Sequence, residues 1–146
     1  MADMELTIRE YRHGDQKAVI KLWIECGLIT SENNPELDIR RKLQVNPGLF
    51  LVGTVDNRIA ATVMGGYEGH RGWANYLAVH PDYQRRNYGR QIMETLENKL
   101  MEMGCPKINL NVRTTNIEAM KFYYRIGYKQ DEVVTLSKRF VKDEPF

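Results

Sequence analysis

The 146-residue sequence contains few cysteines, few prolines and no long apolar run. Its two cysteines, Cys26 and Cys105, are far apart and lack metal-ligand spacing, so we expect two free thiols and no metal. No stretch is apolar for long enough to cross a bilayer and no signal peptide is recognisable, so we expect a cytoplasmic protein without a membrane partner. The net charge of +2 is too small to indicate a nucleic-acid partner.

The length predicts a single domain over residues 1–146, because a chain of this size can bury roughly 70% of the surface that it exposes when unfolded. We find no internal repeat, low-complexity tract or linker. Hydrophobic periodicity predicts strands over 6–10, 49–55, 58–67, 75–79 and 108–112, and within 128–140. It predicts helices over 16–26, 35–45 and 88–103, and a fourth helix that follows Asn116. Asp15 is expected to cap the first of these helices.

The segment from residue 75 to residue 103 carries the clearest functional signal. A short apolar strand ends at His80 and Pro81, and an arginine-rich loop then leads into an amphipathic helix that begins near Tyr88 or Gly89. Asparagine and glycine adopt a left-handed backbone at the least cost, which lets successive N–H groups point at one anion. We therefore predict an anion site formed by Gln84, Arg85, Arg86, Asn87, Tyr88, Gly89 and Arg90. The alternative is a basic loop that only precedes a helix.

Two motifs resemble those of the GNAT family of N-acetyltransferases. Gln84-x-x-Asn87-x-Gly89 is similar to the family signature (R/Q)-x-x-G-x-(G/A), with an asparagine where the family usually has its first glycine. The second family pattern, N-x-x-A-x-x-(F/L)-Y-x-x-x-G-(F/Y), resembles this chain at Asn116, Ala119, Phe122, Tyr123, Gly127 and Tyr128. The phrases GGYEGHRGW and YLAVHP, at 65–73 and 76–81, resemble the small bacterial YpeA-like acetyltransferases, and that resemblance covers nearly the whole chain.

The resemblance implies an α/β (α+β) fold of the GNAT type, with a mixed and mostly antiparallel sheet of six to seven strands flanked by about four helices. It implies acetyl transfer from acetyl-CoA, without a metal, to a primary amine of a small molecule or of a peptide or protein N-terminus by direct attack. The pyrophosphate of acetyl-CoA would lie on the loop 84–90, and Asn116 and Tyr123 would contact the coenzyme. The thioester would lie on the backbone of Leu77, Ala78 and Val79, at the splayed end of their strand. A homodimer is compatible with the sequence.

By the same resemblance, Tyr123 lies beside the sulfur of acetyl-CoA and returns a proton to the thiolate as it leaves. A phenol with a pKa of about 10 is suited to protonate a thiolate with a pKa of about 8.5. The alternative role for Tyr123 is that of an amphipathic core residue beside Tyr124. A base is less evident. Relatives often carry a glutamate or histidine on the strand that here reads Trp73-Ala74-Asn75-Tyr76, and this strand has neither residue.

The nearest ionisable residues to that strand in sequence are Glu68 and His70, which are therefore the candidate bases or water-linked relays. A solvated loop is the alternative for both. A base is unnecessary if the acceptor is an α-amine with a pKa of about 8, because such an amine is partly neutral at neutral pH. We therefore expect an amine-bearing small molecule or peptide as the acceptor, in preference to a protein lysine.

In the GNAT family, the first two helices and the loop between them line the acceptor pocket. Glu32, Glu36 and Asp38 could therefore meet a cationic acceptor, whereas a solvated helix start is the alternative. A hypothesis from a different class is a non-catalytic acyl-CoA-binding or sensor module of the same fold. The missing strand base and Asn87 favour that hypothesis, and Tyr123 argues against it.

Overall fold

The computed structural model describes residues 4–146 and contains five strands and four α-helices in that range. In chain order these are β1 Thr7–Glu10, α1 Gln16–Glu25, α2 Pro35–Lys42, β2 Phe50–Val55, β3 Arg58–Tyr67, β4 Gly72–Val79, α3 Tyr88–Glu102, β5 Ile108–Asn109 and α4 Ile117–Arg125. The four predicted helices are confirmed, and the helix expected to begin near Tyr88 or Gly89 begins at Tyr88.

The five strands form one sheet in the order β1-β2-β3-β4-β5. The first four pair antiparallel, and β5 lies parallel to β4. Asp56 and Asn57 turn β2 into β3 with φ angles of 49° and 64°, which both residue types tolerate in a tight hairpin. The predicted mixed and mostly antiparallel sheet is therefore confirmed.

Helices cover both faces of this sheet. The alternation along β2 directs Phe50 and Val52 toward α1 and α2, where they join a buried cluster with Trp23 and Ile39. The intervening Leu51 packs on the opposite face, against residues of α3. Each face thus buries its own apolar cluster, and β3 and β4 pass between the two helical layers.

The predicted strand within 128–140 is wrong, and among the described residues the sheet has five strands instead of six to seven. Val133, Leu136 and Phe140 are 76%, 90% and 89% exposed, so their apolar side chains cover no sheet face. A strand needs a neighbour for its backbone hydrogen bonds, and β5 pairs only over Ile108–Asn109, a shorter stretch than the predicted 108–112. The β-propensity of this segment alone therefore does not make it a strand.

Asp15 does not cap α1 with its side chain, contrary to expectation. Its carboxylate accepts two hydrogen bonds from the Arg9 guanidinium, at 2.7 and 2.9 Å, and one from the N–H of Arg12 at 2.7 Å. The hydrogen bonds from Arg9 lower the pKa of Asp15. The aspartate thus joins β1 to the turn that precedes α1.

Both cysteines, Cys26 and Cys105, are free thiols, and burial raises the pKa of Cys26. Across residues 4–146, no three histidine, cysteine, aspartate or glutamate side chains are grouped so that they could hold a metal ion. Within the same range, no helix combines the length and the apolar character needed to span a membrane.

Candidate active site

β4 carries a bulge at its centre. Tyr76 and Leu77 together stand opposite the single residue Val63 of β3, and Tyr76 has a φ of 51°. In a regular strand Ala74 and Tyr76 would share a face, but Ala74 packs with the cluster under α3 and Tyr76 packs with the cluster under α1 and α2. The bulge therefore turns Tyr76 toward α1 and α2.

β4 and β5 part after a short ladder. The ladder ends at the pair Trp73 and Asn109, and no further pair follows among the described residues. Beyond that pair the outer edge of β4 is free, and the backbone groups that do not face β3 point into the gap between the two strands. Leu77, Ala78 and Val79, which were expected at a splayed strand end, lie on this free edge.

Two buried residues hold Tyr76 in its left-handed conformation. The indole N–H of Trp23 donates to Thr62 Oγ1 at 2.9 Å, and the Thr62 hydroxyl donates to the carbonyl oxygen of Tyr76 at 2.9 Å. Both Trp23 and Thr62 are fully buried. The Tyr76 ring also stacks on Trp23, with the ring centroids 3.8 Å apart. Contacts with Trp23 of α1 and Thr62 of β3 therefore hold the bulge in place.

The loop before α3 has the conformation of an anion site. Arg85 and Asn87 are left-handed, with φ angles of 65° and 63°, and the 15-residue helix α3 begins directly after Asn87. Left-handed residues in such a turn aim successive N–H groups into one concavity, and the helix start adds its positive dipole end. The Gln84 side-chain amide donates to the Val79 carbonyl oxygen at 3.4 Å, which joins the loop to β4. These residues fit the pyrophosphate of acetyl-CoA.

The start of α3 packs tightly on its neighbours. Tyr88 is buried and its hydroxyl donates to the carbonyl oxygen of Met4, so only its backbone N–H is available to a ligand. A Cβ on Gly89 would lie 3.1 Å from Cζ of Phe122 and 3.6 Å from Cγ2 of Val79. Glycine at this position thus lets the helix start approach both α4 and the end of β4.

Three arginines surround the predicted anion site. Arg85 and Arg86 are exposed. The guanidinium of Arg90 donates to the carbonyl oxygen of Arg125 at 3.3 Å, at the end of α4. A cation at a helix C-terminus is favourable, so Arg90 adds positive charge near the loop and also anchors α4.

α4 places Tyr123 against the same apolar cluster as two residues of β4. Asn116 caps this helix, because its Oδ1 accepts a hydrogen bond from the N–H of Ala119 at 3.1 Å. Tyr123 packs with the cluster that contains Leu77 and Val79. Burial raises the pKa of Tyr123 to about 12. The hydroxyl therefore stays protonated at neutral pH and is available as a proton donor.

Glu68 and His70 lie at the tip of the β3–β4 hairpin. Glu68 is exposed, and its carboxylate accepts hydrogen bonds from the N–H of Arg71 and, at 2.7 Å, from the N–H of His70. The hydrogen bond from the N–H of Arg71 does most to lower the pKa of Glu68, and the one from the N–H of His70 lowers it further. The extended strand from Arg71 to Leu77 spans about 20 Å. The structure therefore does not bring either candidate base to the edge where Tyr123 lies.

A polar cluster beside the bulge was not predicted. The Tyr76 hydroxyl donates to Asp38 Oδ2 at 2.6 Å and accepts a hydrogen bond from Asn33 Nδ2 at 2.5 Å. Burial raises the pKa of Tyr76, and the hydrogen bond to Asp38 raises it further. Glu32 and Glu36 are exposed and lie outside the cluster, so only Asp38 of the three carboxylates joins it. No motif points to this contact, since its two residues are 38 positions apart.

The sequence matches known proteins over most of its length. Residues 15–128 match the acetyltransferase (GNAT) family. The chain is 46% identical over 142 residues to an acetyltransferase from Sodalis glossinidius, covering 97% of this chain and 100% of that protein. It is 45% identical over 141 residues to an acetyltransferase from Pectobacterium atrosepticum, covering 97% of this chain and 100% of that protein.

Solved structures share the fold. An aminoglycoside N-acetyltransferase in complex with CoA superposes with a TM-score of 0.75 at 13% identity, covering 94% of this chain and 97% of that one. The ribosomal-protein-S18-alanine N-acetyltransferase from Escherichia coli superposes with a TM-score of 0.73 at 22% identity, covering 87% of this chain and 79% of that one. At these identities the likeness establishes the fold.

The chain belongs to the GNAT family of acetyltransferases. It has the GNAT fold, and it is an acetyl-CoA-dependent acetyltransferase. The resemblance that the two motifs indicated is therefore confirmed.

Proposed function

We propose that this acetyltransferase acts on the primary amine of a small molecule or of a peptide or protein N-terminus, by direct attack of the amine on the thioester. The observation that supports the proposal is the meeting of three features at one place. The loop 84–90 is joined to the end of β4 through Gln84 and Gly89, residues 77–79 are unpaired on the side away from β3, and Tyr123 packs against the same cluster as Leu77 and Val79. Together they offer a site for the coenzyme, donors for the acyl oxygen and a proton for the sulfur.

Backbone groups hold most of acetyl-CoA in this proposal. The N–H groups of residues 85–90 bind its pyrophosphate, with Arg85 and Arg86 as nearby cations. Asn116 uses its side-chain oxygen to cap α4, which leaves its amide NH₂ to donate to the coenzyme. Acetyl-CoA supplies an activated carbonyl group, and free N–H groups of residues 77–79 stabilise the negative charge that develops on the carbonyl oxygen.

Tyr123 provides the proton that the leaving thiolate requires. Burial raises its pKa from 10.0 to about 12. This makes proton transfer to sulfur about 3 kcal/mol less favourable than transfer from a free phenol. The proton therefore moves only as the C–S bond breaks and negative charge grows on the sulfur.

The acceptor class follows from the relatives and from the site together. The structural neighbours are named as N-acetyltransferases of an aminoglycoside and of alanine in ribosomal protein S18. Both a small polyamine and a peptide N-terminus therefore belong in an acceptor panel. The absence of Glu68 and His70 from the free edge of β4 supports an acceptor that loses its proton easily.

The first experiment incubates the protein with acetyl-CoA and a panel of amines and peptides, and it measures the release of free CoA thiol. We expect thiol release that depends on both the protein and one class of primary amine. If acetyl-CoA binds but no amine in the panel releases thiol faster than water does, a non-catalytic acyl-CoA-binding module becomes the better reading.

The second experiment compares Tyr123→Phe with Tyr124→Phe, a control on the adjacent and 47% exposed residue. Loss of a general acid typically lowers turnover about a hundredfold or more. Tyr123→Phe should show that loss while its affinity for acetyl-CoA, measured by calorimetry, stays close to that of the wild type. Tyr124→Phe should retain turnover. Equal turnover of both variants, measured where chemistry limits the rate, would assign Tyr123 to packing alone.

A further inference from the structure

Asp38 is a half-buried carboxylate that makes no direct ion pair among the described residues, although the charge of Arg41 acts on it from a distance. None of the ion pairs among residues 4–146 includes it. Its Oδ2 accepts a hydrogen bond from the Tyr76 hydroxyl. Within residues 4–146, no side chain or backbone group donates a hydrogen bond to its Oδ1. Since each carboxylate oxygen can accept two hydrogen bonds, the Asp38 carboxylate accepts fewer hydrogen bonds from the protein than it could.

The cations that follow Asp38 on α2 are engaged elsewhere. Arg41, one turn later, donates two hydrogen bonds to Asp143, at 2.8 and 2.9 Å. Lys42 donates to the carbonyl oxygen of Val45 at 2.9 Å. The guanidinium of Arg41 is therefore hydrogen-bonded to the C-terminal segment and acts on Asp38 only through its charge, which leaves Oδ1 of Asp38 open to an external donor.

Asn33 and Tyr76 hold this carboxylate in one orientation. Asn33 Oδ1 accepts a hydrogen bond from the N–H of Thr30 at 2.6 Å, so its Nδ2 must face Tyr76. Because the Tyr76 hydroxyl accepts that bond, its single proton points to Asp38. The Tyr76 ring is itself fixed by its stack on Trp23. A charged group locked by its neighbours in this way is preorganised to bind a ligand.

The cluster also lies next to the place of acyl transfer. Tyr76 forms the bulge of β4, and residues 77–79, which follow it, form the free edge that faces the thioester in the proposed function. A ligand bound at Asp38 therefore lies on the α1 and α2 side of the sheet, beside that edge.

We propose that Asp38, positioned by Tyr76, binds the acceptor as a primary ammonium ion. The inference rests on the proposed function and specifies its substrate class: an amine that arrives as an ammonium ion and then gives one proton to solvent, so that the neutral nitrogen can attack the thioester. The ammonium N–H groups donate to Asp38 Oδ1, which forms a charge-assisted hydrogen bond in a partly desolvated setting. Asp38 selects the charge of the acceptor, and Tyr76 positions Asp38.

The binding test needs no turnover. Protein saturated with CoA is titrated with n-butylamine, which is an ammonium ion at neutral pH, and separately with n-butanol, which has similar size and no charge. The indole N–H signal of Trp23 reports binding in ¹⁵N NMR, because its ring stacks on Tyr76. A Trp73→Phe variant identifies that signal by removing the other indole.

The variants are Asp38→Asn, which keeps the side-chain shape and an acceptor for Tyr76, and Glu36→Gln, a control on the same helix turn that is exposed and outside the cluster. We expect butylamine to bind the wild type and Glu36→Gln equally, and Asp38→Asn to bind it about tenfold more weakly or worse. Butanol should bind all three proteins weakly. Equal affinity of wild type and Asp38→Asn for butylamine, equal affinity of the wild type for butanol, or no butylamine binding at all would overturn the proposal.

A kinetic comparison separates this inference from the proposed function. With an acceptor found by thiol release, Asp38→Asn should raise the KM of the amine about tenfold and leave the KM of acetyl-CoA unchanged. If no amine is acetylated but butylamine binds through Asp38, the proposed function is wrong and the ammonium site stands. If an amine is acetylated with the same KM by Asp38→Asn and the wild type, the enzyme stands and the ammonium site is wrong.

Discussion

Thr62 Oγ1 lies 2.9 Å from the carbonyl oxygen of Tyr76, so a buried hydroxyl on β3 holds the left-handed residue of β4. Thr62 stands across from Ala78, next to the point where the register between the two strands shifts. It also accepts the indole proton of Trp23. The shape of this strand edge therefore depends on a side chain that itself lies in the core.

Replacing Thr62 tests this dependence. Thr62→Val keeps the shape but removes the hydroxyl, which leaves the buried Trp23 N–H without an acceptor and frees the Tyr76 carbonyl. We expect a loss of about 1–3 kcal/mol in the free energy of unfolding, measured with urea, together with a lower kcat. Thr62→Ser restores the hydroxyl and should recover most of the kcat. A Thr62→Val enzyme with wild-type kcat would show that the bulge does not depend on this bond.

Replacing Asn87 tests the backbone of the anion loop. Asn87 has a φ of 63°, a conformation that glycine adopts freely and that a β-branched residue adopts only with strain of about 1–3 kcal/mol. Asn87→Gly should therefore keep its affinity for acetyl-CoA, whereas Asn87→Val should lose affinity or stability. Calorimetric titration with acetyl-CoA measures both. A large loss in Asn87→Gly would mean that the asparagine side chain makes a contact of its own.

Replacing Gly89 tests the contact between α3 and α4. The added Cβ of Gly89→Ala would lie 3.1 Å from Cζ of Phe122, the residue before Tyr123. We expect the helices to separate slightly, with a stability loss of about 1–3 kcal/mol and reduced turnover as Tyr123 moves. Thermal denaturation and kcat are the measurements. If Phe122→Leu, which removes the clash, does not recover activity in the Gly89→Ala background, the loss has another origin.

Glu68 and His70 should not control the pH dependence of the reaction. Glu68 is bound to the N–H groups of its own hairpin tip, far along β4 from Tyr123. We expect Glu68→Gln and His70→Ala to show the wild-type profile of kcat/KM against pH, with an acid limb that follows the pKa of the acceptor. A catalytic base would behave otherwise: its variant would lose most rate at low pH and the acid limb would move.

Asp15 should stabilise the fold in a pH-dependent way. Its pKa is lowered in the folded protein, chiefly by hydrogen bonds from Arg9, so its contribution is present above the ordinary pKa of an aspartate and is lost as the pH falls through the lowered value. Asp15→Asn should therefore cost about 1–3 kcal/mol of unfolding free energy at pH 7. The difference from wild type should shrink in strong acid. Urea denaturation at both pH values checks this, with exposed Glu32→Gln as the control. A constant difference would indicate packing in place of charge.

The local parts of the site could be predicted from the sequence because residue type determines them. Asn87 is left-handed, and asparagine tolerates that conformation. Asn116 caps α4 with its side chain, and α3 begins at Tyr88, where the apolar periodicity starts. Each of these features depends on contacts within a few residues. The motifs that identify the family consist of the same short-range features.

Arg85 marks the limit of such prediction. It is left-handed with a φ of 65°, although arginine gains nothing from that conformation, and the anion loop depends on it. The surrounding structure imposes this backbone, since Gln84 is joined to the end of β4 and α3 is packed against α4. Residue type alone therefore predicted an anion-binding loop but not the left-handed backbone of Arg85.

The surroundings of Tyr76, where we propose that the acceptor binds, were decided by tertiary structure alone. Trp23, Thr62 and Asp38 reach Tyr76 from α1, β3 and α2, through contacts that span 53, 14 and 38 residues of sequence. The segment 128–140 likewise has the composition of a strand, but it meets the chain near β5 through side-chain hydrogen bonds and not through a backbone ladder. Periodicity and residue type describe how a segment can fold with its own neighbours in sequence. Bulges, sheet edges and charges held by distant partners arise only when those segments pack together, because the hydrogen bonds that define them join parts of the chain that no short motif connects.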